Sequence, residues 1–178
     1  MSLLDKAIAA VTPPESEEAR LAARAKAVSI APPGGWLSQV LQHHQEIEAQ
    51  FAAVKAAATA DARRTAQQKL AVLLTAHSVA EEAALYPAMA AHHQPGHAEL
   101  AYQEQSAAKM EMGLLERLDP MSKDYNDKLE HIEGAVAHHV YTEEGTWFIE
   151  LAQSVSPAEQ AVIQTRYQQE YDRYSNGQ

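Results

Sequence analysis

Apolar residues recur along most of the chain at intervals of three and four, a spacing that places them on one face of a helix. Apolar and polar residues alternate nowhere for long enough to predict a strand. Helices are predicted over about residues 36–59, 61–91, 97–118 and 122–154, with short turns between them. Four such helices predict an all-α fold, an up-down-up-down four-helix bundle. The apolar stripe of the first helix consists of Leu37, Val40, Leu41, His44, Ile47, Phe51 and Val54.

The residues before this first long helix have the pattern of a helical extension. Residues 3–11 have apolar positions at helical spacing and predict a short amphipathic helix. Thr12-Pro13-Pro14-Glu15 combines a capping box with proline at the first helical position, which predicts a second helix to about residue 29. Residues 30–35 are rich in proline and glycine and predict a linker. The buried face of the second helix is expected to consist of Leu21, Ala25 and Val28.

The end of the chain predicts one more helix. Ser156-Pro157-Ala158-Glu159 is a capping box, and the helix that it starts is predicted to run to about residue 174. A tyrosine stripe on this helix (Tyr167, Tyr171 and Tyr174) is expected to dock on the bundle. The predicted organisation is an N-terminal helical extension over residues 1–33, the bundle over residues 34–155 and a C-terminal helix packing on it over residues 156–178.

Composition excludes several classes of function. The 178 residues include no cysteine, which excludes disulfides, zinc–thiolate sites, iron–sulfur clusters and thiol catalysis. The formal net charge of -10 argues against nucleic acid or an anionic membrane as a partner. No apolar run approaches the roughly 20 residues of a membrane span. The first residues lack the basic region and cleavage site of a signal peptide, so a cytoplasmic protein is expected.

Two copies of a His-x-x-x-Glu motif are the main candidate for chemistry. One is His77 with Glu81, and the other is His139 with Glu143. Four residues on a helix correspond to about 40° of rotation and one turn of rise, so the two side chains of each pair reach one point. Both histidines lie among apolar positions, and a buried carboxylate needs a partner. With His44 on the first long helix, these donors predict a site for a divalent metal.

The order of these motifs resembles that of the hemerythrin-like family. His44 stands in Leu41-Gln-His-His44-Gln-Glu-Ile47, the first motif continues as Leu85-Tyr86-Pro87, and the second continues as Trp147-Phe148. The resemblance covers roughly residues 36–150. It implies a four-helix bundle with two non-haem irons, in a family whose members bind oxygen or handle peroxide, nitric oxide or iron. It also implies a ligand set with His44 and His77 on one iron, His139 on the other, and Glu81 and Glu143 bridging them.

The chain departs from the family pattern on the third helix. The family has at least one histidine ligand there, whereas this chain has Gln105 in the corresponding place. Glu104 could take that role if the helix were rotated by about 100°. Lys109, one turn after Gln105, is expected to bring a positive charge close to the metals. The expected cofactor is iron, with two ions possible, and zinc as an adventitious alternative because these donors discriminate weakly between the two.

Other polar residues are weaker candidates. Glu48 lies four residues after His44 and could add a carboxylate ligand. Glu82 and Glu144 point about 140° away from the motif histidines and are expected in solvent. Tyr86 and Tyr102 are expected to pack in the core, with a phenol donor as the alternative. The remaining histidines are expected at the surface: His43, His92, His93, His97, His131 and His138.

Three hypotheses about function follow from these observations. The first is a non-haem iron-binding protein that binds or reacts with a small ligand such as oxygen, peroxide or nitric oxide, with or without turnover. The second is a non-catalytic metal-dependent sensor or interaction module that acts through a protein partner or a homodimer. The third is a metal-free bundle in which the buried histidines and glutamates pair with each other.

Overall fold

A computed structural model describes residues 15–175, and the regular secondary structure in this part of the chain is entirely helical. The all-α prediction is therefore confirmed for these residues. The helix predicted over residues 3–11 and the N-cap predicted at Thr12 lie outside them. The helices are α1 (Glu17–Ile30), α2 (Trp36–Ala56), α3 (Ala60–Ala91), α4 (Pro95–Leu115), α5 (Lys123–Thr142), a π-helix (Glu143–Trp147), α6 (Phe148–Ser154) and α7 (Pro157–Ser175).

Helix α1 begins at a later residue than predicted, and a different face of it packs on the core. Its N-cap is Ser16, whose hydroxyl accepts a hydrogen bond from the Ala19 amide at 3.1 Å. The prediction that Leu21, Ala25 and Val28 form the buried face is wrong, since all three are exposed, Leu21 by 58% and Val28 by 53%. The buried residues are two alanines, Ala23 and Ala27. Small residues are needed here because α1 packs closely against the π-helix.

Helix α2 follows the predicted pattern, and all seven residues of its apolar stripe are buried. It packs against α3, α3 packs against α4, and α4 packs against α5. Helix α7 lies along α3 and also contacts α2, so the additional C-terminal helix covers one side of these two. The predicted capping box at its start is confirmed. The Ser156 amide donates to Glu159 at 2.8 Å, and the Glu159 amide donates to the Ser156 hydroxyl at 3.3 Å.

The buried apolar residues form two clusters, one toward each end of the long helices. One cluster contains Trp36, Leu41 and Phe148, and the other contains Ile47, Leu70 and Leu129. Between them the long helices place polar residues in the core instead of apolar ones. His44, for example, lies between Leu41 of the first cluster and Ile47 of the second. The candidate metal ligands therefore form a polar layer enclosed on both sides by apolar packing.

A π-helix interrupts the predicted fourth long helix at the second motif. Residues Glu143–Trp147 form this wider turn between α5 and α6. A π-turn changes the direction of the side chains within it, and such turns are frequent at functional sites. Within residues 15–175, no helix is both long and apolar enough to cross a membrane.

Candidate metal centre

Four of the predicted site residues meet at one point inside the polar layer. His44 comes from α2, His77 and Glu81 from α3, and Glu143 from the π-helix. All four are buried, and one potential ligand atom from each lies within 4.8 Å of the others. The His-x-x-x-Glu spacing on α3 brings His77 Nε2 to 3.3 Å from Glu81 Oε1. The motif spacing and the buried position of His44 thus produce the convergence that was expected from them.

Each of these four residues has one buried atom that finds no hydrogen-bond partner among residues 15–175. The four atoms are His44 Nε2, His77 Nε2, Glu81 Oε1 and Glu143 Oε2. His44 Nε2 lies 3.4 Å from Glu143 Oε2 and 3.8 Å from Glu81 Oε1. An unpartnered buried polar atom costs roughly 1–3 kcal/mol, and four of them at one place call for a shared partner.

A divalent metal ion fits this donor set. Each of the four atoms can direct a lone pair to a common centre once the imidazole nitrogens are deprotonated. Three of the separations among these atoms are 3.3, 3.4 and 3.8 Å, and all four atoms lie within 4.8 Å of one another, so one ion could be held by all of them.

The far nitrogens of the two histidines have partners that favour metal binding at Nε2. His44 Nδ1 lies 2.9 Å from Glu144 Oε1, and a carboxylate can only accept, so His44 carries its hydrogen on Nδ1. His77 Nδ1 lies 3.1 Å from the hydroxyl of Tyr167 on α7, which is placed to accept. Partners of this kind fix the tautomer and the ring orientation of a ligating histidine.

Glu144 was expected in solvent, and that prediction is wrong. Its side chain is only 1% exposed, because the π-turn directs both Glu143 and Glu144 inward. Arg24 on α1 partners the buried charge, with its Nε 3.1 Å from each Glu144 oxygen. The same guanidinium binds Glu48 at 2.7 and 2.8 Å. Glu48 is therefore held by Arg24 on the outer side and is not among the four clustered donors.

A second group of polar atoms lies on the other side of the two carboxylates. The hydroxyl of Tyr86 is 3.1 Å from Glu81 Oε2, 3.1 Å from Glu143 Oε1 and 3.2 Å from His139 Nε2. His139 Nε2 is also 3.1 Å from Glu143 Oε1, and its Nδ1 is 2.8 Å from Glu104 Oε2. Glu104 is thus hydrogen-bonded to the far nitrogen of His139, in the position of an outer partner.

Gln105 reaches the site but acts there as a hydrogen-bond donor. Its amide nitrogen donates to Glu81 Oε2 at 2.6 Å, and its amide oxygen accepts from the Ser78 hydroxyl at 2.9 Å. Lys109 was expected to bring its charge close to the metals, but its side chain stays outside the cluster. It pairs at 2.5 Å with Glu82, and this pair is partly exposed at the margin of the site.

The other histidines take several positions. His43 was expected at the surface but is buried, because α7 covers it. Its Nδ1 lies 2.8 Å from the Tyr167 hydroxyl, and its ring stacks on Tyr171 at 3.8 Å. His97 stacks on Trp147 at 5.4 Å. Of the predicted tyrosine stripe, Tyr167 is fully buried and Tyr171 packs partly buried against the core, whereas Tyr174 is 42% exposed and does not dock. Outside the cluster lie His92, which pairs with Glu159, and His138, which pairs with Glu15.

The pKa values of the side chains in this cluster follow from its mixture of buried positive and negative charges. Burial and the neighbouring Glu143 charge raise the pKa of Glu81 to about 7. Burial would also raise the pKa of Glu143, but His139 and His44 outweigh it and hold that pKa well below the usual range.

The pKa values of the three histidines also shift in different directions. Burial lowers the pKa of His44, but Glu143, Glu144 and Glu81 outweigh it, so that the pKa is raised well above its usual value. Burial likewise lowers the pKa of His139, but Glu143 and Glu104 raise it to about 10. Burial and the nearby His44 charge lower the pKa of His77.

Comparison with known proteins places this site in a family. The family model of the Hemerythrin HHE cation binding domain matches residues 37–151. The chain therefore belongs to the hemerythrin HHE cation-binding family, and the resemblance seen in the motifs is confirmed. A curated relative from Nostoc sp., named DNA nickase, is 31% identical over 83 residues. That match covers 47% of this chain and only 24% of the relative. No solved structure matches the chain significantly.

The raised pKa values predict how the metal-free protein depends on pH. A group whose folded pKa lies above its unfolded value stabilises the fold at low pH, and this stability is lost as pH rises through the folded pKa. For His139 the window runs from about 6.5 to about 10, and His44 shifts in the same direction. Urea unfolding of metal-free protein should therefore show a falling free energy of unfolding from pH 7 to pH 9.5. His139→Gln should flatten this slope, whereas the exposed control His131→Gln should keep it. A wild-type profile that rises with pH would contradict the assignment.

The contact between α7 and His77 predicts a change in metal affinity. Tyr167→Phe removes the hydroxyl beside His77 Nδ1 but keeps the buried ring. Losing an outer partner of a ligating histidine typically weakens metal binding about 10–100-fold. Competition with a chromogenic chelator would measure this loss. Tyr174→Phe on the same helix changes a 42% exposed residue and should leave the affinity unchanged. Equal affinities of the two variants would show that α7 does not support the site.

Proposed function

We propose that the chain is a non-haem iron-binding protein whose metal ion is held by His44 Nε2, His77 Nε2, Glu81 Oε1 and Glu143 Oε2. The observation that carries the proposal is the convergence of these four buried atoms, none of which has a hydrogen-bond partner among the described residues. Imidazole and carboxylate donors without thiolate suit iron, and zinc competes for the same set. The family's cation-binding character supports a metal in this place.

An iron ion in this site would supply an open coordination position for oxygen, peroxide or nitric oxide. The surrounding residues supply the rest of the environment. The two apolar clusters exclude water from both sides of the polar layer. Glu104, His139 and the Tyr86 hydroxyl form a hydrogen-bonded chain that ends beside the carboxylates of Glu81 and Glu143. A proton from His139 can pass along this chain to those carboxylates.

The proposal includes the arrangement of the helices. Helices α2, α3, α4 and α5 would form the up-down-up-down bundle, with α1 and α7 as additions outside residues 34–155. The short connections between these helices and the packing of each on the next support this arrangement.

A metal-dependent sensor or interaction module is the second candidate, and the position of α1 favours it. Arg24 connects α1 to Glu144, which contacts the candidate ligand His44. Metal binding at His44 could therefore change how α1 packs, and a partner could bind the changed surface. Spectral change or turnover on adding peroxide or nitric oxide would favour small-ligand chemistry over sensing. DNA nicking, named for the Nostoc relative, fits this chain poorly, since a net charge of -10 opposes binding to phosphates.

Elemental analysis of purified protein tests the proposed metal. We expect iron, with His77→Ala and Glu81→Ala each losing most of it, because each substitution removes one of the four donors. The matched control His131→Ala changes an exposed histidine and should retain the full content. Retention of the full complement by either site variant would contradict the ligand assignment. Absence of any metal from wild-type protein reconstituted with iron(II) under anaerobic conditions would favour the metal-free alternative.

A further inference from the structure

The hydroxyl of Tyr167 on α7 lies between two histidines that belong to different helices. It is 3.1 Å from Nδ1 of the candidate ligand His77 on α3 and 2.8 Å from Nδ1 of His43 on α2. Tyr167 is fully buried, and the ring of His43 is fixed by stacking on Tyr171, with the ring centres 3.8 Å apart. The three groups form a hydrogen-bonded row that leads away from the candidate metal centre.

The hydrogens in this row can be arranged in two directions. Burial raises the pKa of Tyr167 well above its usual value, so the hydroxyl keeps its hydrogen. Burial lowers the pKa of His43 to about 4, so its ring is neutral at neutral pH. A phenol has one hydrogen to donate, and a neutral imidazole has one N–H and one bare nitrogen. The Tyr167 hydroxyl therefore donates to one of the two histidines and can accept a hydrogen bond from the other.

Metal binding at His77 is compatible with only one of these directions. An ion at His77 Nε2 needs the lone pair of that nitrogen, so the ring must carry its hydrogen on Nδ1. His77 then donates to the Tyr167 oxygen, and the Tyr167 hydroxyl donates to His43 Nδ1, which is within reach at 2.8 Å. In the opposite direction Tyr167 would donate to His77 Nδ1, and the hydrogen of His77 would lie on Nε2, where the ion binds.

We propose that His43 is a positioning residue of the metal centre, which accepts the hydrogen of Tyr167 and thereby holds His77 in the tautomer with a bare Nε2. This inference rests on the proposed function, because it presupposes an ion at His77 Nε2. His43 is not among the four clustered donors, and its effect passes through the Tyr167 hydroxyl. Although His43 is next to His44 in the sequence, the two side chains point about 100° apart on α2.

Metal affinity in a set of variants tests this inference. His43→Phe removes the acceptor but keeps a ring that can stack on Tyr171, and it should weaken zinc(II) binding about 10-fold, as for other outer partners of ligating histidines. His43→Asn supplies an acceptor oxygen close to the position of Nδ1 and should restore most of the affinity. Tyr171→Phe keeps the stacked ring and should bind zinc(II) as tightly as wild-type protein. Competition with a chromogenic chelator measures each affinity.

A double variant separates this role from a general effect on packing. In Tyr167→Phe the hydroxyl that connects His43 to His77 is gone, so adding His43→Phe should have no further effect on affinity. If His43 supported the site only through packing, His43→Phe would weaken binding equally with and without the Tyr167 hydroxyl.

Nitrogen-15 NMR of wild-type protein loaded with zinc(II) observes the tautomers directly. We expect the hydrogen of His77 on Nδ1 and the hydrogen of His43 on Nε2. This measurement decides the inference even if His43→Phe does not fold. A hydrogen on His43 Nδ1, an unchanged affinity of folded His43→Phe, or equal losses in the two backgrounds would overturn the inference and leave the proposed function intact. Failure of wild-type protein to bind either iron(II) or zinc(II) would overturn the proposed function and the inference with it.

Discussion

The structure depends on how the buried, unpartnered polar atoms at its centre are satisfied. Two apolar clusters enclose a layer that contains three histidines and three glutamates, and four potential ligand atoms in that layer have no hydrogen-bond partner in the part of the chain that the structure describes. Leaving such atoms without a partner in a core is costly, and charged groups are the most costly of all. A metal ion bound to these four atoms would remove this cost, and because it binds only the folded state its binding free energy would stabilise the fold.

Helices from outside the matched family region hold the site in shape. Helix α1 supplies Arg24, which neutralises the buried Glu144 and thereby supports the hydrogen bond to His44. Helix α7 supplies Tyr167, which contacts His77 on its far nitrogen. The family match covers residues 37–151, so both contacts involve segments beyond it. Both additions therefore contact residues of the candidate metal site through Arg24 and Tyr167.

The sequence allowed much of this to be predicted, and the exceptions have physical causes. The spacing of His77 and Glu81 on one helix face, and the position of His44 in an apolar stripe, were sufficient to predict the cluster. The burial of Glu144 could not be predicted, because the predicted side-chain directions assumed a regular α-helix and the burial requires a π-turn. Arg24 was missed because α1 turns a different face to the core than its apolar residues indicated. The roles of Gln105 and Tyr86 depend on which neighbouring atoms lie within hydrogen-bond reach, and helix spacing alone does not specify this.

X-ray absorption spectroscopy at the edge of the bound metal tests the central claim most directly, since it reports the atoms around the ion. For one ion bound by His44, His77, Glu81 and Glu143, the nearest shell should contain nitrogen and oxygen at about 2.0–2.2 Å, with outer scattering from two imidazole rings. A nearest shell of oxygen alone, without imidazole scattering, would contradict this account of the site.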